Sequence, residues 1–176
     1  MYCDQAEPNG LAGLLYGNVI RMTFSHMTIY SLERELFVPH PLSKVFAFFS
    51  RAENLEEITP PWMQFRILTA QPIEMKKGAT IAYSLRVRGF PLRWLTEIEE
   101  WNPPYEFIDV QAKGPYKLWH HTHRFAEVPG GTSIVDIVRY ALPFGPLGRL
   151  VHRIQVAWDI EQIFDYRKKR VQALFR

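Results

Sequence analysis

From residue 64 to residue 142 the chain offers one strand candidate after another, with turn signals between them and no stretch long enough for a crossover helix. The candidates are 64–73, 79–87, 92–101, 105–112, 116–128 and 132–142, and the breaks are Lys77-Gly78, Gly89-Phe90-Pro91, Asn102-Pro103-Pro104, Gly114-Pro115 and Pro129-Gly130-Gly131. Parallel pairing needs a connection of a dozen or more residues, so strands this close must pair antiparallel as a meander. A seventh strand, 28–38, precedes them and stops at Pro39-His40-Pro41.

Two short helices follow that first strand. Leu42, Val45, Phe46 and Phe49 fall at i, i+3, i+4 and i+7, one apolar helical face. A second helix over 52–58 ends at Thr59-Pro60-Pro61, because the residue before a proline is pushed out of the α region. The chain closes with a helix over 147–175, whose apolar stripe is Leu147, Leu150, Ile154, Ala157, Ile160, Phe164, Val171 and Leu174. At 1.5 Å per residue it would run on the order of 45 Å. The expected fold class is α+β: a curved antiparallel sheet of about seven strands whose concave face is covered by this helix, with a cavity between them.

A chain of 176 residues with 47% hydrophobic and 22% charged residues suits one domain, read as 28–176. Residues 1–27 read as an N-terminal extension, either poorly ordered or a misassigned start with Met27 as the natural one. Aromatic content is high at 14%, the composition of a lined interior. A net charge of +3 is too mild to imply nucleic-acid binding. The single cysteine, Cys3, excludes an internal disulfide framework and suits the cytoplasm. No stretch approaches the roughly 20 apolar residues of a membrane span. Nor is there a glycine-rich phosphate loop, a G-x-S-x-G elbow, a C-x-x-C or an H-E-x-x-H.

Three of the six histidines lie in one strand, Leu118-Trp119-His120-His121-Thr122-His123-Arg124-Phe125. Side chains alternate faces, so Trp119, His121, His123 and Phe125 share one face. An H-x-H pair lets two imidazoles reach one metal ion, and the alternation of Thr132, Ile134, Asp136, Val138 and Tyr140 puts an acid on the adjoining strand as a third ligand. The reading preferred over a metal site is a polar cluster, in which Asp136 orients a histidine and stabilises its charged form for a structural or an acid–base role. No metal and no cofactor are expected. Tyr83, Leu85 and Val87 alternate on one strand and Trp94, Thr96 and Ile98 on the next, with Arg86 and Arg88 turned the other way. The candidate lining is thus Trp62, Tyr83, Leu85, Trp94, Thr96, Trp119, His121, His123, Asp136 and Tyr140, joined by Ile154 and Trp158 from the helix. Trp62 is open to two readings, a lid on the cavity or a cap on the sheet. Glu97, Glu99 and Glu100 read as solvated edge charges, and Arg167 to Arg170 as cations complementing the helix dipole.

Several local signatures sit in this order of elements: Val45-Phe46-Ala47-Phe48-Phe49-Ser50, Asn54-Leu55, Ile58-Thr59-Pro60-Pro61-Trp62, Gly114-Pro115-Tyr116, Trp119-His120-His121-Thr122-His123 and Gly130-Gly131-Thr132. With them the chain resembles the START-like, Bet v 1-like helix-grip domains over residues 28–175, and among these the bacterial ligand-binding SRPBCC proteins of the polyketide cyclase/dehydrase superfamily. The resemblance implies a cavity for a lipid, polyketide or other apolar molecule under the C-terminal helix. It also implies two alternatives: a cyclase, aromatase or dehydratase using His121 or His123 with Asp136, and a chaperone-binding interaction module. The expected partner is a small apolar molecule, with no nucleic acid; the oligomeric state is left open.

Overall fold

The structure, a computed structural model, describes residues 19–24 and 27–176. Among the described residues the chain forms one antiparallel sheet of eight strands: β1 (Val19–Phe24), β2 (Met27–Val38), β3 (Arg66–Ile67), β4 (Thr80–Val87), β5 (Phe90–Asn102), β6 (Glu106–Lys113), β7 (Leu118–Val128) and β8 (Gly131–Ala141). Their order across the sheet is β1-β2-β8-β7-β6-β5-β4-β3. The six strands after β2 form the expected meander, and β2 closes onto β8, with Tyr30 opposite Tyr140 and Val38 opposite Thr132. β1 pairs with β2 and lies in the stretch read from sequence as an extension, whose remaining residues 1–18, 25 and 26 lie outside the described ones.

Local chemistry explains the turns and the bend. Val87 faces Phe90 across a two-residue hairpin, and the residues between them, Arg88 (φ +50°) and Gly89 (φ +84°), both take the left-handed conformation that such turns require. Register shifts between Leu95 and Thr96 and between Ile98 and Glu100 bulge β5 against β6 and bend the sheet there. The expected strand 64–73 shrinks to β3: Gln64 is left-handed, and the Leu68 and Thr69 amides both turn to the Ala82 carbonyl, ending the ladder.

After β2, α1 (Leu42–Phe49) buries Leu42, Val45 and Phe46, and a short turn leads into α2 (Leu55–Ile58). At the other end of the chain α3 (Gly145–Val151) runs through one π-helical turn, His152–Val156, into α4 (Ala157–Leu174). The long helix is as expected, but its inward face is not the apolar stripe of the sequence over the first half. Leu147, Leu150 and Ile154 are exposed, while Gly148 and His152 are buried. The inward positions there carry either no side chain or a polar one. A Cβ on Gly148 would stand 2.1 Å from the Pro143 carbonyl oxygen, so the helix approaches the preceding loop too closely for any larger residue. Beyond the π-helical turn Ile160, Phe164 and Val171 face inward as the stripe expects.

The core has two main parts. Val45, Phe46, Phe107, Phe125, Ile134 and Val171 pack at the α1 end, and Tyr30, Leu32, Val138, Tyr140, Ile160 and Phe164 under the middle of the helix. Each large side chain so buried contributes roughly 1.5–3 kcal/mol. Two ion pairs fasten α4 at its edges: Arg88 of the β4–β5 hairpin to Asp159 at 2.9 Å, and Arg170 to Glu57 of α2 at 2.8 Å. No helix of the described residues is long and apolar enough to cross a membrane.

Candidate ligand cavity and histidine–aspartate cluster

Because strands alternate their faces, the inward residues of β4 to β7 converge under α4 and leave a cavity of about 320 Å³. Tyr83, Leu85, Trp94, Thr96, Trp119, His121 and His123 line it, with Ile81, Val87 and Ile98 from the same strand faces and Met63 and Phe65 beside them. From the helix come Val156, Ile160, Ile163, Phe164 and Arg167. The aromatic wall is interlocked: Trp94 meets Trp119 edge-on at 5.3 Å and stacks with Tyr83 at 6.0 Å. Trp94 Nε1 donates to Thr96 Oγ1 at 3.1 Å, and the Tyr83 hydroxyl lies 2.9 Å from the same oxygen, so these polar atoms are paired within the wall.

The remaining candidates stand elsewhere. Trp62 is 57% exposed and rests edge-on against Tyr166 outside the cavity, because the turn Pro61–Met63 points its neighbour Met63 inward instead. Ile154 (71% exposed) and Trp158 (56%) lie on the outer face of the helix, on the wrong side of the phase set by Gly148 and His152. Tyr140 is fully buried but off the cavity wall; its hydroxyl lies 2.9 Å from His152 Nε2, and that imidazole stacks on Tyr30 at 3.4 Å. Asp136 is buried and also off the wall, yet it belongs to the cluster that follows.

Three adjacent strands build that cluster. Asp109 of β6 stands opposite His121 of β7, and Asp136 of β8 stands opposite His123. Each carboxylate reaches both imidazoles. Asp109 Oδ2 is 2.9 Å from His123 Nε2 and 3.5 Å from His121 Nδ1. Asp136 Oδ1 is 3.1 Å from His121 Nε2 and 2.7 Å from His123 Nδ1, the last contact lying out of hydrogen-bond alignment. The two imidazoles are 3.7 Å apart, and Phe107 stacks on the far side of His123 at 4.2 Å.

Burial disfavours every charged form in this cluster, and the neighbours decide which survive. At Asp109 the upward push of burial is overcome by His121 and His123, which hold its carboxyl below the usual range. At Asp136 burial is likewise outweighed by the two histidines, and its carboxyl lies well below that range. Burial and the neighbouring His123 lower His121, whereas at His123 burial yields to Asp136 and Asp109, which raise it. The arrangement thus favours two carboxylates and holds a proton more readily at His123 than at His121. Such a set can move a proton, anchor a polar group of a ligand, or hold a cation, since Asp109, His121 and His123 each present a donor atom within 4.8 Å of the others.

Sequence reasoning passed over Asp109 and Arg167. The first was legible, since Phe107 and Asp109 share a face of the strand next to the histidines. Arg167 reads as one of four consecutive cations, and only the helix phase separates it from the others.

The sequence profile of a family described as polyketide cyclase / dehydrase and lipid transport matches residues 38–165. No curated protein matches the chain in sequence at a significant level. Among solved structures, the Zhui aromatase/cyclase from Streptomyces is similar with a TM-score of 0.65 at 15% identity, covering 82% of this chain and 92% of that one. A protein from Thermus thermophilus is similar with a TM-score of 0.64 at 18% identity over 83% and 99% of the two chains. Ara h 8.0201 follows with 0.59 at 18% identity over 84% and 97%. Identities this low establish a shared fold.

Proposed function

The chain belongs to the polyketide cyclase / dehydrase and lipid transport family, and we propose that it binds a small apolar or amphipathic molecule, such as a lipid or polyketide, between the sheet and the C-terminal helix. The observation that carries this reading is the cavity of about 320 Å³, walled mainly by aliphatic and aromatic side chains, with His121, His123, Asp109, Arg167 and Arg51 as its few ionisable groups. That is the size and chemistry of a small-molecule site, in which apolar walls supply affinity and a few polar groups fix orientation. We place the activity in the cytoplasm, where the lone Cys3 stays reduced. The test is native mass spectrometry of protein purified from its own cell, with identification of whatever denaturation releases. A stoichiometric apolar molecule is the expected result; an empty protein that also takes up no added fatty acid or polyketide would sink the reading.

A second reading is favoured by one observation, the contact of Asp109 with His123 on the cavity wall itself. It is an acid–base enzyme of the cyclase, aromatase or dehydratase kind, with His123 as proton donor or acceptor. The cavity is open under the helix, which weighs against an interaction module built on a collapsed interior.

A further inference from the structure

We propose that Asp109, His121 and His123 form a binding site for one first-row divalent transition-metal ion, with Asp136 as its supporting carboxylate and the remaining coordination positions open to the cavity. The inference rests on which side of each imidazole faces what. His121 turns Nδ1 toward Asp109 and Nε2 toward Asp136; His123 turns Nε2 toward Asp109 and Nδ1 toward Asp136. Asp109, His121 and His123 line the cavity, and Asp136 does not. Each ring therefore has one nitrogen in the cavity-facing group and the other against a buried carboxylate. His121 is held as metal-binding histidines are, its second nitrogen hydrogen-bonded to a carboxylate that fixes the tautomer, while at His123 the Asp136 carboxylate lies beside Nδ1 at 2.7 Å without hydrogen-bond alignment.

Two of the three donor spacings fit as well. Donors held about 2.0–2.2 Å from one ion lie about 2.9–3.5 Å from each other in octahedral or tetrahedral geometry. Asp109 Oδ2 lies 2.9 Å from His123 Nε2 and 3.5 Å from His121 Nδ1, and all three donors fall within 4.8 Å. Two imidazoles and one carboxylate on one face, with positions left open, suit zinc or ferrous iron rather than magnesium or calcium. The site is built on paired strands rather than loops, and Phe107 packs against His123, so the donors are preorganised. The sequence alone offered Asp136 as the third ligand; the structure assigns that place to Asp109 and moves Asp136 behind the rings.

Arg167 adds a statement about what the ion would meet. It lines the same cavity, lies 5.0 Å over the Phe164 ring, and its Nε has no hydrogen-bond partner among the described residues. An ion on the sheet and a guanidinium on the helix together select a ligand with an anionic oxygen, a carboxylate or an enolate, on an apolar body. This clause rests on the ligand-binding reading; the metal site does not.

The test uses the metal alone. Chelator-stripped full-length protein is titrated with Zn²⁺ and Co²⁺ by calorimetry and visible absorption, and X-ray absorption is recorded on the one-equivalent zinc complex. One ion per chain is expected, with a shell of nitrogen and oxygen donors at about 2.0–2.1 Å that includes two imidazoles. Asp109→Asn and His123→Gln should weaken binding at least 100-fold, and Asp136→Asn about 10–100-fold. His120→Ala, altered on the opposite face of β7, should leave it unchanged. Saturable binding that fails to appear, or binding indifferent to Asp109→Asn and His123→Gln in folded variants, overturns the site. Should those variants not fold, the wild-type absorption spectrum decides, and fewer than two imidazoles in the shell rejects it. Absence of metal binding by the wild-type protein with an apolar molecule still bound would reject the metal site and leave the ligand reading standing.

Discussion

Asp109 Oδ2 lies 2.9 Å from His123 Nε2, although the strand register sets Asp109 opposite His121. The contact is diagonal, and with its counterpart from Asp136 it makes a closed group in which each carboxylate serves both rings. Changing any one member disturbs the other three.

Asp136→Ala is therefore expected to destabilise the fold well beyond an ordinary polar deletion. Breaking a buried ion pair by removing one partner costs about 3–5 kcal/mol, and the lower end is expected here because His123 can release its proton. Asp136→Asn keeps a hydrogen-bonding side chain and should lose less. Urea unfolding at neutral pH measures both, and an alanine variant within about 0.5 kcal/mol of wild type, the scale of a surface change, would contradict the account.

Filling the cavity should separate binding from stability. Ile163 lines it from the helix while only half-buried, so Ile163→Trp can project extra volume into the space. A loss of at least tenfold in affinity for a fluorescent fatty acid, about 1.4 kcal/mol, is expected with a change in unfolding free energy smaller than that. Unchanged affinity would place the ligand elsewhere.

Alkaline pH provides an independent probe of the interior. Burial raises the phenols of Tyr83, Tyr116 and Tyr140 above their ordinary value, with Asp109 adding to the effect at Tyr83, Asp159 at Tyr116 and the neighbouring Tyr116 at Tyr140. In the unfolded chain these phenols ionise near pH 10, so above that pH the unfolded state binds fewer protons and stability falls as pH rises. Phenolate absorbance should show these three titrating only together with loss of near-ultraviolet dichroism. Reversible ionisation of all three near pH 10 in a folded protein would show that they are solvated.

Gly148→Ala tests the close approach of α3 to the loop before it. Alanine is the better helix former by about 1 kcal/mol, yet its Cβ would meet the Pro143 carbonyl oxygen at 2.1 Å. A net destabilisation of about 1–3 kcal/mol is expected, as for other overpacked sites. Leu150→Ala, on the exposed side of the same helix, should stay within about 0.5 kcal/mol of wild type. Thermal unfolding compares the two directly.

These contrasts show what could be read from the chain alone. The meander was legible because turn residues punctuate it and because period-two alternation assigns faces: Tyr83 with Leu85, Trp94 with Thr96 and His121 with His123 all face inward together. The first half of the closing helix was not legible. Its inward positions, Gly148 and His152, carry no apolar signal, so periodicity follows Leu147, Leu150 and Ile154 to the water side. Asp109 lay on a readable face but becomes a partner of His123 only through a diagonal contact, and contacts of that kind depend on register and twist, which a single sequence does not specify.

The pair between Arg88 and Asp159 makes one edge of the cavity sensitive to salt. It joins the tip of the β4–β5 hairpin to the start of α4, next to Val87 and Ile160, which line the cavity from either side. Arg88 is half exposed, so parting the pair costs no more than about 1 kcal/mol, and added salt lowers that further because the ions compete for an exposed charge pair. The apolar contacts flanking it do not weaken in salt. Ionic strength should thus loosen the join between hairpin and helix while leaving the aromatic wall beneath it intact, which makes the rim of the cavity its salt-sensitive part and the floor its salt-indifferent one.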